Sequence, residues 1–185
     1  GTANTLIGSL AGDSLTTGSA NVALGYNALS TEDAHGKNVA IGDFSLHTLN
    51  AGADGYNTAV GHNTGASMTT GIQNTIMGGL AGDALTTGSY NVALGRGALS
   101  TEDAGSRNVA IGYEALATQN AGISVYNTAI GFQAADHITS GVQNTIIGGL
   151  AGNAINTGDN NIVIGYNAAA SAVGVDNETV IGTTA

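Results

Sequence analysis

Residues 74–95 read NTIMGGLAGDALTTGSYNVALG, and the five-residue units at the two ends of this stretch, NTIMG and NVALG, decide the fold. Each unit is asparagine, then threonine or a β-branched residue, then two apolar residues, then glycine. Ten copies begin with asparagine, and an eleventh, degraded copy begins at Glu178. The ten asparagines are Asn4, Asn21, Asn38, Asn57, Asn74, Asn91, Asn108, Asn127, Asn144 and Asn161. The spacing between neighbouring copies is 17 in sequence number, as in 21 − 4, except after Asn38 and Asn108, where it is 19, as in 57 − 38.

A short β-type segment that recurs at a spacing of 17 to 19 predicts an all-β, parallel β-solenoid, in which each repeat forms one rung stacked on the last. The chain has no proline, which agrees because a stacked strand needs its backbone N–H groups. We expect eleven rungs in one domain over residues 1–185, about 50 Å long at ~4.8 Å per rung. Four rungs form a superperiod, from Asn4 to the residue before Asn74, which divides the chain into 4–73, 74–143 and a partial third, 144–185.

The five positions of the unit carry separate expectations. Position four is large and apolar in every copy, so we expect it to face inward, with position two beside it by the two-residue period of a strand. Position five is always glycine, which predicts a positive φ or a close backbone approach. These glycines are Gly8, Gly25, Gly42, Gly61, Gly78, Gly95, Gly112, Gly131, Gly148, Gly165 and Gly182. A second short strand is expected after each glycine, with a small residue three places on turned inward.

Position three points away from position four and is apolar in all eleven copies. Its residues are Leu6, Ala23, Ala40, Ala59, Ile76, Ala93, Ala110, Ala129, Ile146, Val163 and Val180. We expect them to form an outward apolar stripe longer than a soluble monomer usually exposes. The stripe predicts a homo-oligomer of parallel chains. The asparagines of position one are expected to stack as a structural ladder of amide hydrogen bonds.

Composition excludes several classes of partner. The chain has 3 basic and 13 acidic residues and a formal net charge of −10, which opposes binding to nucleic acid or to an anionic membrane surface. It has no apolar run near the length of a membrane span, so no membrane insertion is expected. Cysteine is absent, which excludes disulfides and thiolate metal sites.

Residues that could carry chemistry are few. His35, His47, His62 and His137 show no pairing with a base and an orienting carboxylate, so we expect neither an enzyme nor a cofactor. The acidic loops 30–33 and 100–103 could present carboxylates to a divalent cation, although a solvated edge is the favoured interpretation. The eight aromatic residues could stack on receptor sugars, but packing on the neighbouring rung is favoured.

The units NVALG, NVAIG, NTAVG and NTAIG, each with a small residue three places after the glycine, resemble the head repeats of YadA-like trimeric autotransporter adhesins. The resemblance covers nearly the whole chain and implies a left-handed β-roll and a homotrimer. The rungs are longer than is usual in that family, and the longer type, NVAIGYEAL from Asn108, looks like repeats of phage tail fibres.

Three functions compete. The first is a structural and adhesive fibre module, extracellular on a virion tail fibre or a bacterial cell surface, that attaches to a cell-surface glycan or protein receptor. The second is a monomeric ice-binding solenoid, for which threonines recur only at some rungs, as in Thr16, Thr69 and Thr86. The third, a fibre-borne depolymerase, would need a cleft with paired carboxylates, and the sequence locates none.

Overall fold

The computed structural model describes residues 1–122 and 124–183, so the last two residues of the predicted domain lie outside the described part. Eleven three-residue strands form one parallel sheet in sequence order, and the described residues contain no helix. The strands are β1 Thr5–Ile7, β2 Val22–Leu24, β3 Val39–Ile41, β4 Thr58–Val60, β5 Thr75–Met77, β6 Val92–Leu94, β7 Val109–Ile111, β8 Thr128–Ile130, β9 Thr145–Ile147, β10 Ile162–Ile164 and β11 Thr179–Ile181. The predicted all-β, parallel, eleven-rung solenoid is therefore confirmed.

Each strand pairs with the next rung position by position. Ala93 of β6, for example, pairs with Ala110 of β7, and Leu94 pairs with Ile111. The same register holds across the two longer rungs, which begin at Asn38 and Asn108, because the two extra residues lie outside the strands. Equivalent positions of the repeat therefore form straight files along the solenoid.

The predicted direction of the strand side chains is wrong. Position three faces the interior, and nine of its eleven residues have no exposed surface. These nine are Ala23, Ala40, Ala59, Ile76, Ala93, Ala110, Ala129, Ile146 and Val163. The two end residues differ only because they lack a covering rung: Leu6 is exposed and Val180 is partly buried against the core. Positions two and four, which were expected inside, face outward instead.

The reversal has a physical reason in the opposite wall of the coil, which brings its own large residues into the core. Leu29, Leu46, Leu99 and Leu116, each four residues after a repeat glycine, are fully buried. A coil filled from that side leaves room for only a small residue at position three of the same rungs. Where position three is instead large, as at Ile76, the residue four places after the glycine is Gly82, and a Cβ there would lie 3.2 Å from the Ile76 Cδ1.

The segment after each glycine is a series of turns, so the predicted second strand is also wrong. In the second rung Asn27 and Leu29 have φ of 54° and 50°, which an extended strand does not allow. The segment still bonds to both neighbouring rungs: the Asn27 N–H donates to the Ser9 carbonyl at 3.1 Å and the Leu29 N–H to the Ser45 carbonyl at 3.0 Å. The small residue between them, Ala28, is fully buried as expected.

The glycine of position five meets both of its expected demands. All eleven have φ between 122° and 140°. A Cβ on Gly25 would lie 2.6 Å from the carbonyl carbon of Gly42 in the next rung. Only glycine combines this φ with so close a backbone approach.

The asparagines of position one line the interior beside position three. The Asn91 side-chain oxygen accepts the Asn108 backbone N–H at 2.9 Å, and the Asn91 Nδ2 donates to the Gly105 carbonyl at 2.9 Å. The first bond joins consecutive rungs, and the second closes one rung on itself. The Nδ2 atoms of Asn38 and Asn108, which begin the two longer rungs, are buried without a partner among the described residues.

Candidate interaction face

Positions two and four form the outward surface of the sheet, here called the outer face. Position two contributes Thr5, Val22, Val39, Thr58, Thr75, Val92, Val109, Thr128, Thr145, Ile162 and Thr179. Position four contributes Ile7, Leu24, Ile41, Val60, Met77, Leu94, Ile111, Ile130, Ile147, Ile164 and Ile181. None of these residues carries a charge, although the strand alternation turns every one of them toward solvent.

The outer face exposes large apolar side chains along its whole length. Met77 in β5, at the middle of the solenoid, is 43% exposed, and Leu24 in β2 is 42% exposed, so the exposure is not confined to the two end rungs. The ten intervals between the eleven rungs, at ~4.8 Å each, give the face a length of about 48 Å. Continuous apolar surface of this extent marks an interaction site on a soluble protein.

The sequence prediction of an outward apolar stripe therefore named the wrong file of residues. The position-three residues from Ala23 to Val163 lie in the core and cannot contact a partner. The surface property on which the oligomer prediction depended is nevertheless present, because positions two and four are apolar or threonine throughout.

One edge of the outer face is formed by the residues just before each repeat asparagine, which include three tyrosines and two basic residues. The Arg107 guanidinium lies between two rings, 5.2 Å from the centroid of Tyr90 and 5.5 Å from that of Tyr126. Lys37 lies over Tyr56, with its Nζ 4.8 Å from the ring centroid. Such contacts hold the side chains along the file of rungs while leaving the three tyrosines about half exposed.

Lys37 is held from a second side by an acidic residue. Its Nζ lies 2.7 Å from the Asp54 carboxylate. The hydrogen bond to Asp54 raises the pKa of Lys37, and the same bond lowers the pKa of Asp54 below its usual range. Both side chains are well exposed, so the pair positions Lys37 more than it stabilises the fold.

The residue after each repeat glycine forms the other edge of the outer face. Tyr113 and Phe132, in consecutive rungs, stack with ring centroids 5.3 Å apart and an angle of 9° between the planes. Arg96 lies over the ring of Tyr113, 5.7 Å from its centroid. The favoured interpretation of these aromatic residues, packing on the neighbouring rung, is confirmed. An apolar strip flanked by tyrosine and arginine has the composition of a protein interface.

The glutamates of the two acidic loops lie in the core, so they do not belong to the solvated edge that was the favoured interpretation of these loops. Glu32 and Glu102 are fully buried. Glu102 accepts the Gly105 N–H at 2.7 Å, the Gln119 Nε2 at 2.8 Å and the Ala121 N–H at 3.3 Å. A buried carboxylate with such bonds ties down the longer rung that follows. The neighbouring Asp33 and Asp103 are exposed, as a solvated edge requires.

A grouping of metal-ligating residues surrounds Glu32. One ligand atom each from Glu32, Asp33 and His35 lies within 4.8 Å of the others. Both Glu32 oxygens already accept backbone bonds, from His35 at 3.1 Å and from Ala51 at 3.3 Å. His35 Nδ1 lies 3.3 Å from the same carboxylate.

Two other histidines serve as hydrogen-bond partners between rungs. His47 Nδ1 lies 2.7 Å from the Ser30 hydroxyl, and His137 Nδ1 lies 2.8 Å from the Asn153 carbonyl. These contacts give both side chains a place in the stacking of the coils. No helix in the described part of the chain has the length and apolar character needed to cross a membrane.

The outer face, its two aromatic edges and the buried asparagine file are the features that characterise this chain. Searches against protein-family models, curated proteins and solved structures found no match to it.

Proposed function

We propose that the chain is a structural and adhesive fibre module that assembles as a parallel homotrimer through its outer face. It works outside the cell, on a virion tail fibre or a bacterial surface, and attaches to a host or surface receptor. The resemblance to trimeric adhesin head repeats supplies the stoichiometry and the left-handed coil. The observation that carries the proposal is the outer face, an uncharged strip, two side chains wide at every rung, with exposed leucine at Leu24, methionine at Met77 and isoleucine at Ile147.

Burial of this strip supplies the free energy of association. Each fully covered large aliphatic side chain contributes about 1.5–3 kcal/mol relative to its exposed state. Because equivalent residues recur at every rung, parallel chains can bring like against like along the whole length. The tyrosines and arginines at both edges then form the polar rim of the interface.

Mass in solution tests the proposal. A trimer gives three times the chain mass of 18.0 kDa by light scattering after size exclusion. Leu94→Lys and Ile111→Lys, at the centre of the outer face, are expected to shift the species to 18.0 kDa, because three lysines would meet in an apolar interface. Asn50→Lys and Asn120→Lys add the same charge at exposed sites off the strands and are expected to keep the trimer.

A stable wild-type monomer would contradict the proposed trimer. A trimer that persists in both lysine variants would show that the interface is not the outer face. Circular dichroism on each variant separates loss of assembly from loss of fold.

One observation favours the alternative function, a monomeric ice-binding solenoid. Six rungs carry a threonine at position two, on the outer face, next to an aliphatic residue or methionine at position four; they are Thr5, Thr58, Thr75, Thr128, Thr145 and Thr179. Valine or isoleucine interrupts the threonine file in the other five rungs. Because both functions use the same face, a chain that buries it in a trimer cannot present it to ice. Thermal hysteresis in a sample of monomer mass would favour this alternative.

A further inference from the structure

A groove of about 380 Å³ opens between the turn segments that follow Gly78, Gly95 and Gly112. Its polar lining consists of Asp83, Arg96, Ser100, Thr101 and Glu114. Leu80 and Ala117 add apolar surface, and Gly97 contributes backbone only. The groove belongs to the second superperiod and lies outside the strands that form the outer face.

The sequence is specifically altered at this place. Residues 21–34 read NVALGYNALSTEDA, and residues 91–104, one superperiod later, read NVALGRGALSTEDA. Only two positions differ: Tyr26 becomes Arg96, and Asn27 becomes Gly97. The third superperiod again has tyrosine and asparagine, at 166 and 167. The two departures from an otherwise identical repeat both line the groove.

In the first superperiod aromatic rings occupy the equivalent place. Tyr26 and Phe44 meet edge to face with centroids 5.2 Å apart, and Phe44 meets the His47 ring in the same way at 5.4 Å. One superperiod later these three positions are Arg96, Glu114 and Ala117. The same backbone is thus filled with rings in one superperiod and hollowed, with charged walls, in the next. Stability of the coil does not require the hollow form, because the filled form exists in the same chain.

The walls of the groove offer both donors and acceptors of hydrogen bonds. Glu114 accepts from Gln133 Nε2 at 2.9 Å, and hydrogen bonds from Gln133 and Tyr113 lower the pKa of Glu114, so it remains an acceptor at neutral pH. Arg96 donates to the Tyr113 hydroxyl at 3.2 Å and lies 3.6 Å from the Glu114 carboxylate. This network holds the guanidinium and the carboxylate side by side at the groove wall.

Asp83 and the hydroxyls of Ser100 and Thr101 complete the polar lining of the groove. Burial raises the pKa of Asp83, and its Oδ1 is buried without a hydrogen-bond partner among the described residues. The hydroxyls of Ser100 and Thr101 both donate to the Ala117 carbonyl, so their oxygens remain free to accept.

We propose that this groove binds a neutral hexose unit of a surface glycan. A sugar ring presents neighbouring hydroxyls that both donate and accept, which matches the adjacent guanidinium, carboxylates and hydroxyls. Its C–H face can pack on Leu80 and Ala117. Two carboxylates and one guanidinium leave the site negative, which opposes an acidic sugar. The proposal rests on the adhesive function proposed above and names the receptor class.

Saturation-transfer NMR with free sugars tests the site on the assembled protein. Glucose, galactose and mannose are the neutral probes, and N-acetylneuraminic acid is the acidic one. We expect saturable binding of at least one neutral hexose at millimolar concentration, as suits a small ligand in an open groove. Gly97→Asn is expected to weaken hexose binding at least about tenfold, because it adds a side chain to the lining of the groove. The backbone is expected to tolerate the change, because asparagine occupies the equivalent positions 27 and 167 with φ of 54° and 51°.

Two further variants complete the test. Arg96→Tyr, which restores the residue of the other two superperiods, is expected to weaken binding without affecting the fold. Asn27→Gly removes the same side chain where Phe44 and His47 still fill the space, and is expected to bind the hexose like wild type.

The site is overturned if no neutral hexose transfers saturation to the wild type, if only the acidic sugar does, or if Gly97→Asn and Arg96→Tyr bind undiminished. Mass measured on the same samples keeps the two proposals separate. If a monomer binds the hexose, the trimer proposal is wrong and the groove proposal stands.

Discussion

At the scale of single residues, the asparagine of position one has the most constrained role in the chain. Its side chain satisfies a backbone N–H of the next rung and, in most rungs, the carbonyl that closes its own coil. Neither group could reach water, since the asparagines from Asn21 to Asn161 are almost completely buried. A buried backbone group left without a partner costs about 1–3 kcal/mol, so the file cannot be replaced by apolar residues.

The pair Asn91→Asp and Asn108→Asp isolates the bond that closes the coil. Both variants bury a carboxyl group, and both keep an oxygen for the N–H of the next rung. Only Asn91→Asp removes a hydrogen bond, the one from Nδ2 to the Gly105 carbonyl, because the Nδ2 of Asn108 has no partner among the described residues. We expect Asn91→Asp to lower the free energy of unfolding by about 1 kcal/mol more than Asn108→Asp, measured by urea unfolding at equal protein concentration. Equal losses at the two sites would contradict a role for the Gly105 bond.

At the scale of elements, each rung consists of a strand wall and a turn wall that share one narrow core. In two neighbouring rungs a large residue on one wall faces a small one on the other: Ala93 on the strand is matched by the buried Leu99 on the turn, and Ile76 on the strand by Gly82. The left-handed backbone at Leu99, with φ of 54°, costs about 1–2 kcal/mol for a residue with a Cβ. Burial of the leucine side chain, worth about 1.5–3 kcal/mol, offsets that cost.

A double-mutant cycle measures this exchange between the walls. Ala93→Ile alone is expected to overpack against Leu99 and destabilise by about 1–3 kcal/mol. Leu99→Gly alone leaves a cavity and is expected to destabilise by about 2–5 kcal/mol. The double variant reproduces the Ile76–Gly82 pattern of the preceding rung. We therefore expect its loss of unfolding free energy to be smaller than the sum of the two single losses by at least about 1 kcal/mol. Simple additivity in urea unfolding would show that the two residues do not share a space.

At the scale of the whole molecule, the solenoid is a stack in which each rung contacts its neighbours through the same register. The strands pair in chain order from β1 to β11 without a crossover. Stability of such a stack is approximately a sum of rung terms and nearest-neighbour terms. One superperiod can therefore be removed without loss of the fold, provided that the positions of the repeat remain aligned.

Deletion of residues 74–143 tests this view, because it joins Gln73 to Asn144 and leaves the repeat unit intact. The shortened chain is expected to form seven rungs, 11 − 4, with a length about 19 Å shorter by small-angle scattering. The deletion also removes the groove, so hexose binding is expected to disappear while the oligomer persists. Deletion of 74–144 is the control: the extra residue shifts the register by one and turns the interior positions outward. Equal folding of the two deletions would contradict a register defined by the repeat.

The repeat and its spacing determined by themselves the rung count, the parallel stacking, the glycine at the close backbone approach and the stacking of the asparagines in one file. Each of these follows from local chemistry: the φ that only glycine allows, and the hydrogen bonds that asparagine supplies. The alternation of a strand also placed positions one and three on one side and positions two and four on the other. Which side faces inward was decided only by the tertiary structure, because it depends on the turn wall that shares the core. Leu99, Leu116 and their equivalents fill that core from across the coil and leave space only for alanine beneath them, so the larger residues of position four face outward.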